Sequence, residues 1–260
     1  IACSSVISLI SGPSIRPQGG KIGRMETVQL SAYPSVVIFT GAGMSAESGV
    51  PTYRGSGGIW AQYNYEEYAC QAAFDARPEQ VLAFHEMRRA AVLACEPHAG
   101  HHHLAALQSL HPKLSVVTQN IDGLLQRAGI RVAAELHGSL WRMRCPRHGI
   151  SHDALSAQFA QSRCPECDSW LRPDITWFGD NVNAESFAIT EQLVSQADLF
   201  VSVGTSGVVW PAAGFAQLAR NSGAHMIEIN PEDNEASALY RVHVRKSASE
   251  GLAQLFPLSA

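Results

Sequence analysis

Four short apolar runs occur along the chain, and each one ends in small or polar residues. They lie in "SVVIFTGAG", "LSVVTQN", "ADLFVSVGTS" and "AHMIEINPE". Continuous Val, Ile and Leu runs of this length are typical of parallel strands that are buried on both faces. The stretches "HHHLAALQSL" and "PAAGFAQLARNSG" have helical spacing, and Gly223 suits the C-terminal cap of the second. Strands that alternate with helices predict an α/β fold built on a doubly wound parallel sheet.

Two inserts interrupt this alternation and predict a second, smaller domain. Residues 53–95 have the pattern of helices, and "PEQVLAFHEMRRAAVLAC" within them is amphipathic. Residues 141–177 contain a group of cysteines. We therefore assign residues 25–52, 96–140 and 178–260 to the sheet domain, and the two inserts to the small domain.

Residues 1–24 differ from the rest of the chain. They contain three basic residues and no Asp or Glu. Two interpretations are open, a basic targeting peptide or a leader that is cloning-derived or translated from upstream. We favour the leader, because the recognisable pattern begins only after Met25. In either case we expect little fixed structure before Met25.

Composition and charge narrow the possible functions. The chain has 260 residues, of which 46% are hydrophobic and 16% charged, so it can bury a sizeable core. The formal net charge of -4 gives no indication of a nucleic-acid or membrane partner, and no apolar stretch reaches transmembrane length. The six cysteines are not spaced as a disulfide framework, which favours a reducing compartment, and we expect a cytoplasmic location.

The first apolar run ends in "GAGMSA", which fits the dinucleotide-binding pattern G-x-G-x-x-G/A from Gly41 to Ala46. Its glycines allow a tight turn and a close approach of backbone amides to a pyrophosphate, and a following helix N-terminus favours negative charge. An ordinary dehydrogenase also needs an acidic residue about 20 positions later, at the end of a second strand. Glu66 and Glu67 fall in "AQYNYEEYACQ", which is not a strand pattern, so hydride transfer is not favoured.

The cysteine group has the spacing of a zinc site. Cys145 and His148 form one pair and Cys164 and Cys167 another, with fifteen residues between His148 and Cys164. This matches two C-x-x-C knuckles with His in place of the second Cys, and a Cys3His set binds zinc tetrahedrally. Four protein ligands leave no open position, so we expect a structural rather than a catalytic ion. His152 is an alternative fourth ligand.

Polar side chains follow the second apolar run. Gln119, Asn120 and Asp122 stand at the carboxyl end of the predicted strand, where open α/β sheets bind ligands. Their amides and carboxylate suit a ribose or carboxamide better than a phosphate. His137 follows in "ELHGSL", and imidazole, with an unperturbed pKa of about 6.5, suits base catalysis at neutral pH.

Together these motifs resemble the sirtuins, a family of NAD-dependent protein-lysine deacylases. The resemblance extends from about Val36 to Phe256 and rests on "GAGMSAESGVPTYRG", "TQNIDGL", "ELHGSL", the cysteine knuckles, "RPDITWFGD", "VGTSGVVWPA" and "IEINPE" in this order. It implies a Rossmann-like NAD-binding domain with a smaller inserted zinc-binding and helical domain. NAD would be consumed as a co-substrate, and the zinc would be structural.

The resemblance also implies roles for individual residues. His137 would be the general base, and two groups of residues would surround it. The residues that would bind NAD are Gly41, Ala42, Gly43, Ser45, Glu47, Tyr53, Arg54, Gln119, Asn120, Asp122, Gly204, Thr205, Ser206, Asn230 and Glu232. Those that would line the acyl-lysine channel are Trp177, Phe178, Gly179, Val208, Val209 and Trp210, where the substrate backbone would add as a strand.

The implied reaction transfers the acyl group from lysine to ADP-ribose. The acyl oxygen attacks C1′ of the nicotinamide ribose and nicotinamide leaves. His137 then takes a proton from the ribose hydroxyls, so that the 2′ oxygen can attack the acyl carbon. Water completes the release of lysine and O-acyl-ADP-ribose. A mono-ADP-ribosyltransferase on the same scaffold is the alternative, although a retained His137 favours deacylation.

The motifs leave the identity of the acyl group open. Some sirtuins that remove succinyl and malonyl groups carry a Tyr-x-x-Arg pair on a small-domain helix, and here His85 and Arg88 occupy those positions. Three apart, they share one helix face, and Arg suits a substrate carboxylate. We therefore predict an anionic acyl group in addition to acetyl. A deacylase limited to neutral acyl groups is the other possibility.

Overall fold

The computed structural model describes residues 27–53 and 58–258. The predictions for residues 1–24 and for Arg54 therefore lie outside the described residues. Among the described residues, no helix is both long and apolar enough to cross a membrane.

A six-stranded parallel sheet forms the larger part of the molecule. In chain order its strands are β1 (Val36–Thr40), β2 (Leu114–Thr118), β3 (Val132–Glu135), β7 (Leu199–Val203), β8 (His225–Ile229) and β9 (Val242–Val244). Their spatial order is β3-β2-β1-β7-β8-β9, so the order reverses between β1 and β7. Such a reversal opens a crevice at the carboxyl ends of the strands, and this is where doubly wound sheets bind ligands.

Helices cover both faces of this sheet because the central strands β1 and β7 are mostly apolar and are buried at every position. All five residues of β1 are buried, and its four apolar residues alternate between two hydrophobic clusters. Val36 and Ile38 face one side of the sheet, and Val37 and Phe39 face the other. The flanking helices are α1 (Gly43–Ala46), α6 (Ala99–Leu110), α7 (Leu124–Arg127), α8 (Ala184–Ser195), α9 (Gly214–Asn221) and α10 (Ala248–Leu255). The predicted doubly wound α/β fold is confirmed.

The two inserts pack together beside the sheet. The first contains α2 (Ile59–Gln62), α3 (Tyr65–Tyr68), α4 (Gln71–Ala76) and α5 (Pro78–Leu93). The second is an antiparallel sheet of β4 (Gly138–Cys145), β5 (Gly149–His152) and β6 (Arg172–Ile175). Phe74 and Val81 of the helices share one hydrophobic cluster with Leu140 and Leu171 of the second insert. β4 extends across the boundary that we assigned between residues 140 and 141.

Arg89 of α5 connects the two inserts and is completely buried. Its guanidinium donates to the Ser156 carbonyl at 2.7 Å, to the Asp153 carboxylate at 2.5 Å and to the Ala154 carbonyl. It also lies over the rings of Trp141 and Phe159. All five contacts come from the second insert, so this one side chain attaches the helices to it.

We expect Arg89→Met to lower the free energy of unfolding by about 3–5 kcal/mol, because it leaves a buried carboxylate without its cation. Urea denaturation followed by circular dichroism measures the change. Arg220→Met, on the exposed side of α9, is the matched control and should change stability by less than about 0.5 kcal/mol. Equal stability of the two variants would contradict this role for Arg89.

Candidate active site

One cavity of about 830 Å³ lies between the carboxyl ends of the parallel strands and the two inserts. It is lined by most of the residues that the sequence singled out. These are Gly41, Ala42, Gly43, Glu47, Tyr53, His85, Arg88, Gln119, Asn120, His137, Trp177, Phe178, Gly179, Gly204, Thr205, Ser206, Val208, Val209, Trp210, Asn230 and Glu232. The cavity therefore brings together residues that are up to 191 positions apart in the chain.

The glycine turn after β1 is interlocked with the turn after β7. The Gly43 amide donates to the Gly204 carbonyl at 2.9 Å, and a Cβ on Gly43 would lie 2.6 Å from the Gly204 Cα. Gly204 has a φ of +61°, a conformation that side chains disfavour. Glycine is therefore needed at both positions, and the two turns form one smooth wall that a pyrophosphate can approach. The helix that follows, α1, is only one turn long, so its dipole contributes less than the sequence pattern suggested.

Ser45 and Asp122 lie behind this wall and do not line the cavity. The Ser45 hydroxyl donates to Asp122 at 2.8 Å, and the Asn120 amide donates to the Ser45 hydroxyl at 3.1 Å. Burial raises the pKa of Asp122, although hydrogen bonds from the Leu124 amide and from Ser45 act in the opposite direction. This buried chain of hydrogen bonds orients the Asn120 amide, which itself faces the cavity.

His137 stands in the turn between β3 and β4. The preceding Leu136 amide donates to the Thr118 carbonyl at the end of β2, and the His137 carbonyl accepts from the Thr176 amide, both at 2.9 Å. A Cβ on the next residue, Gly138, would lie 1.9 Å from the Asp174 carbonyl oxygen, so only glycine allows this approach. The histidine is thus fixed between the strand ends and the Trp177 segment.

Two further predicted cofactor residues hold parts of the wall in place. Partial burial acts to raise the pKa of Glu47, but hydrogen bonds from Ser249 and Ser247 together outweigh it, so that the pKa is lowered. The Asn230 amide donates to the Thr205 carbonyl at 2.8 Å and so supports the turn after β7. Glu232 lies on the exposed rim.

Sequence reasoning missed several residues in the cavity wall, among them Thr52, Trp60, Asn234 and Ser247. Asn234 donates to both the Thr205 carbonyl and the Glu228 carboxylate. Its place in the loop after β8, four residues beyond Asn230, was a signal that could have identified it. Ser247 had no comparable signal, because its partner Glu47 is 200 positions away.

The opposite side of the cavity is mostly aromatic. Trp177 is buried, whereas Phe178 is 41% exposed and Trp210 is 75% exposed. His85 stacks on Trp177, with ring centroids 5.8 Å apart. Burial first, and then the positive charge of Arg88, lower the pKa of His85 to about 3. His85 is therefore neutral at pH 7 and adds no positive charge to the predicted anchor.

Arg88 is 7% exposed and lines the same cavity. One guanidinium nitrogen donates to the Tyr53 hydroxyl at 2.9 Å, and the guanidinium carbon lies 5.0 Å from the centre of that ring. Within residues 27–53 and 58–258, no carboxylate forms an ion pair with Arg88. A buried guanidinium that forms no ion pair can still donate hydrogen bonds to a ligand in the cavity.

The four predicted metal ligands converge at the end of β4. Their ligand atoms all lie within 4.8 Å of one another. Cys145 Sγ lies 3.6 Å from both His148 Nδ1 and Cys167 Sγ, and His148 Nδ1 lies 3.2 Å from Cys164 Sγ. Tetrahedral zinc at about 2.3 Å from sulfur requires ligand atoms about 3.5–3.8 Å apart, so these residues fit the ion. His148 rather than His152 occupies the fourth position.

Comparison with known proteins adds to this geometry. The Sir2 family model matches residues 41–211. An NAD-dependent protein deacylase 2 of Pyrobaculum aerophilum is 41% identical over 220 residues, which cover 84% of this chain and 88% of that protein. An NAD-dependent protein deacylase of Aquifex aeolicus is 36% identical over 224 residues, which cover 85% of this chain and 94% of that protein.

Solved structures agree with the sequence comparison. A Sir2 homologue with a histidine-to-asparagine substitution, in complex with ADP-ribose, superposes with a TM-score of 0.83 at 34% identity and covers 87% of this chain and 92% of that chain. A Sir2 homologue in complex with NAD has a TM-score of 0.80 at 35% identity and covers 87% of this chain and 89% of that chain. Because the family model matches most of the chain and the relatives align over four-fifths of it, this chain belongs to the Sir2 family.

Proposed function

We propose that this chain is an NAD-dependent protein-lysine deacylase, which transfers acyl groups from lysine to ADP-ribose and releases nicotinamide. The observation that carries this proposal is that a single cavity brings the interlocked glycine turns, the Gln119 and Asn120 amides, His137 and the Trp177 segment together. Relatives that align over most of this chain are named NAD-dependent protein deacylases. The substrate is acyl-lysine in a protein or peptide.

NAD supplies the ribose carbon that accepts the acyl oxygen and the hydroxyls that later receive the acyl group. In the proposed division of roles, the turns at Gly41–Gly43 and Gly204–Ser206 accommodate its phosphates and adjoining sugar. Gln119 and Asn120 orient the nicotinamide ribose, with Ser45 and Asp122 supporting Asn120 from behind. Asn230 and Glu232 lie where the adenosine ribose would bind. Tyr53 also lines the cavity and belongs to the proposed NAD site.

His137 accepts a proton from the ribose hydroxyls in this proposal. It lines the cavity, and its backbone is held on both sides by hydrogen bonds. A base that is pre-positioned in this way does not have to be ordered during the reaction. Trp177 and the two valines before Trp210 surround the acyl-lysine. Phe178 and Gly179 offer backbone to the substrate strand.

The acyl group that we propose in addition to acetyl is an anionic one, such as succinyl. Arg88 provides a buried positive charge in the cavity without an ion-pair partner in the described part of the chain. Its guanidinium can hydrogen-bond to a carboxylate, and such charge-assisted bonds are stronger than neutral ones. His85 is neutral and contributes at most one N–H donor.

We expect Arg88→Met to lower kcat/KM for a succinyl-lysine peptide about 100-fold relative to the acetyl-lysine peptide of the same sequence, because it removes the cation opposite the carboxylate. Release of nicotinamide with each peptide measures the two activities. Arg77→Met, an exposed arginine just before the same helix, is the control and should leave the ratio unchanged. Equal succinyl activity in wild type and Arg88→Met would exclude the anchor.

Three further assignments complete the proposal. Residues 25–52, 96–140 and 178–260 form the NAD-binding domain, and 53–95 with 141–177 form the small domain. Cys145, His148, Cys164 and Cys167 hold a structural zinc, which takes no part in the chemistry. Its three thiolates require a reducing compartment, and we propose the cytoplasm for this reason.

A further inference from the structure

We propose that the Tyr53 hydroxyl is the second arm of the anionic-acyl anchor and binds the substrate carboxylate together with Arg88. This inference rests on the proposed function and adds a residue to it. The position of the tyrosine in the related Tyr-x-x-Arg pair is taken here by His85. Because His85 has no hydroxyl, Tyr53 would supply this group instead, from the segment that follows α1.

The contact between the two side chains is close and well oriented. Arg88 donates to the Tyr53 hydroxyl oxygen at 2.9 Å, and its guanidinium carbon lies 5.0 Å from the ring centre. The Tyr53 ring in turn packs on Trp60, with centroids 6.0 Å apart. All three residues line the cavity that contains His137. The pair is therefore held in place at the site where the acyl group must lie.

The hydrogen bonds of this pair leave donors without an acceptor. Because the Tyr53 oxygen accepts from Arg88, its own proton remains available to another group. Within the described ranges, no acceptor takes that proton and no carboxylate pairs with Arg88. The Tyr53 O–H and the Arg88 N–H groups can therefore donate to the same ligand. A carboxylate, which only accepts hydrogen bonds, suits this arrangement, whereas a second cation does not.

His85 is the weaker partner for the same carboxylate. It is 1% exposed and stacks on Trp177, and neither ring nitrogen has a hydrogen-bond partner of normal geometry in the described residues. A neutral imidazole offers a single N–H and no charge. The Tyr53 hydroxyl, by contrast, is already polarised by its bond to Arg88.

The test compares the binding and turnover of succinyl-lysine and acetyl-lysine peptides by wild type, Tyr53→Phe and Tyr63→Phe. Phenylalanine keeps the ring and removes only the hydroxyl. Tyr63 is the matched control, because its hydroxyl donates to Met87 Sδ and does not line the cavity. We expect Tyr53→Phe to lower the succinyl-to-acetyl ratio of affinities, and of kcat/KM, about tenfold, and Tyr63→Phe to leave both ratios unchanged.

Peptide affinity is measured by fluorescence anisotropy in the absence of turnover, so the result does not depend on catalysis. If Tyr53→Phe retains the wild-type ratio of affinities, the inference is wrong, even if Arg88→Met lowers that ratio. If wild type prefers the succinyl peptide in binding and Tyr53→Phe does not, the inference stands, even if neither peptide is deacylated. An absence of deacylation with both peptides would overturn the proposed function but not the role of Tyr53 in binding. Thermal unfolding of each variant excludes a folding defect as the cause.

Discussion

Replacing His137 with alanine is expected to lower acyl-lysine turnover by about 10²–10⁴-fold and to leave NAD binding largely intact. His137 lines the cavity from the turn between β3 and β4, and hydrogen bonds of its backbone and of the preceding residue anchor that turn. Alanine keeps this backbone but removes the imidazole that accepts the ribose proton. Turnover is followed by mass spectrometry of the peptide, and NAD binding by calorimetry.

His102→Ala is the control for this prediction, because His102 is exposed on α6 and should be dispensable. The products distinguish the two enzymatic alternatives. A deacylase forms free lysine and O-acyl-ADP-ribose. A mono-ADP-ribosyltransferase adds ADP-ribose to protein, removes no acyl group and therefore does not need His137 for that step. Unchanged deacylation by His137→Ala would show that another group is the base. Loss of NAD binding would show that His137 is structural.

The central strands could be predicted from the sequence because they are buried on both faces. Every position of β1 and β7 is buried, so the chain shows runs there that are apolar except for Thr40 and Ser202. The edge strands β3 and β9 were not predicted. They have three or four residues, some of them partly or fully exposed, and so they show neither an apolar run nor a clear alternation.

The sequence predicted which residues gather at the candidate site, but not which of them line the cavity and which lie behind its wall. Motif spacing placed Ser45 and Asp122 near the strand ends, but it could not show that they lie behind Asn120 rather than in the cavity. Arg89 is completely buried, although no pattern in the sequence distinguishes it from its neighbour Arg88. The pairing of Tyr53 with Arg88 joins residues 35 positions apart, and no local pattern encodes such a contact.

Loss of zinc is the second change for which we expect a large effect. The four ligands come from the end of β4, the turn after it and the loop before β6, and Cys145 and Cys164 belong to the core that also contains Trp177. Structural zinc in small domains contributes about 10–16 kcal/mol of apparent binding free energy, and that free energy supports folding. Hydrogen bonding to Ser169 lowers the pKa of the Cys167 thiol to about 6, which favours the thiolate that zinc requires.

We therefore expect Cys164→Ser to abolish the stoichiometric zinc, lower the melting temperature by more than about 5 °C and suppress deacylation, although Cys164 lies outside the cavity wall. Elemental analysis, thermal unfolding and peptide turnover measure the three effects. Cys95→Ser is the matched control, because Cys95 is half-buried outside the ligand set, and its substitution should leave all three quantities unchanged.

A zinc ion that only stabilises the fold can affect activity only through a segment that it holds in place, and here that is the segment after β6. Chelation at a temperature where the protein stays folded should therefore weaken acyl-peptide binding more than NAD binding, since Trp177 belongs to the zinc-supported core and the glycine turns belong to the parallel sheet. A chelated protein that keeps its melting temperature and its peptide affinity would contradict a structural role for zinc.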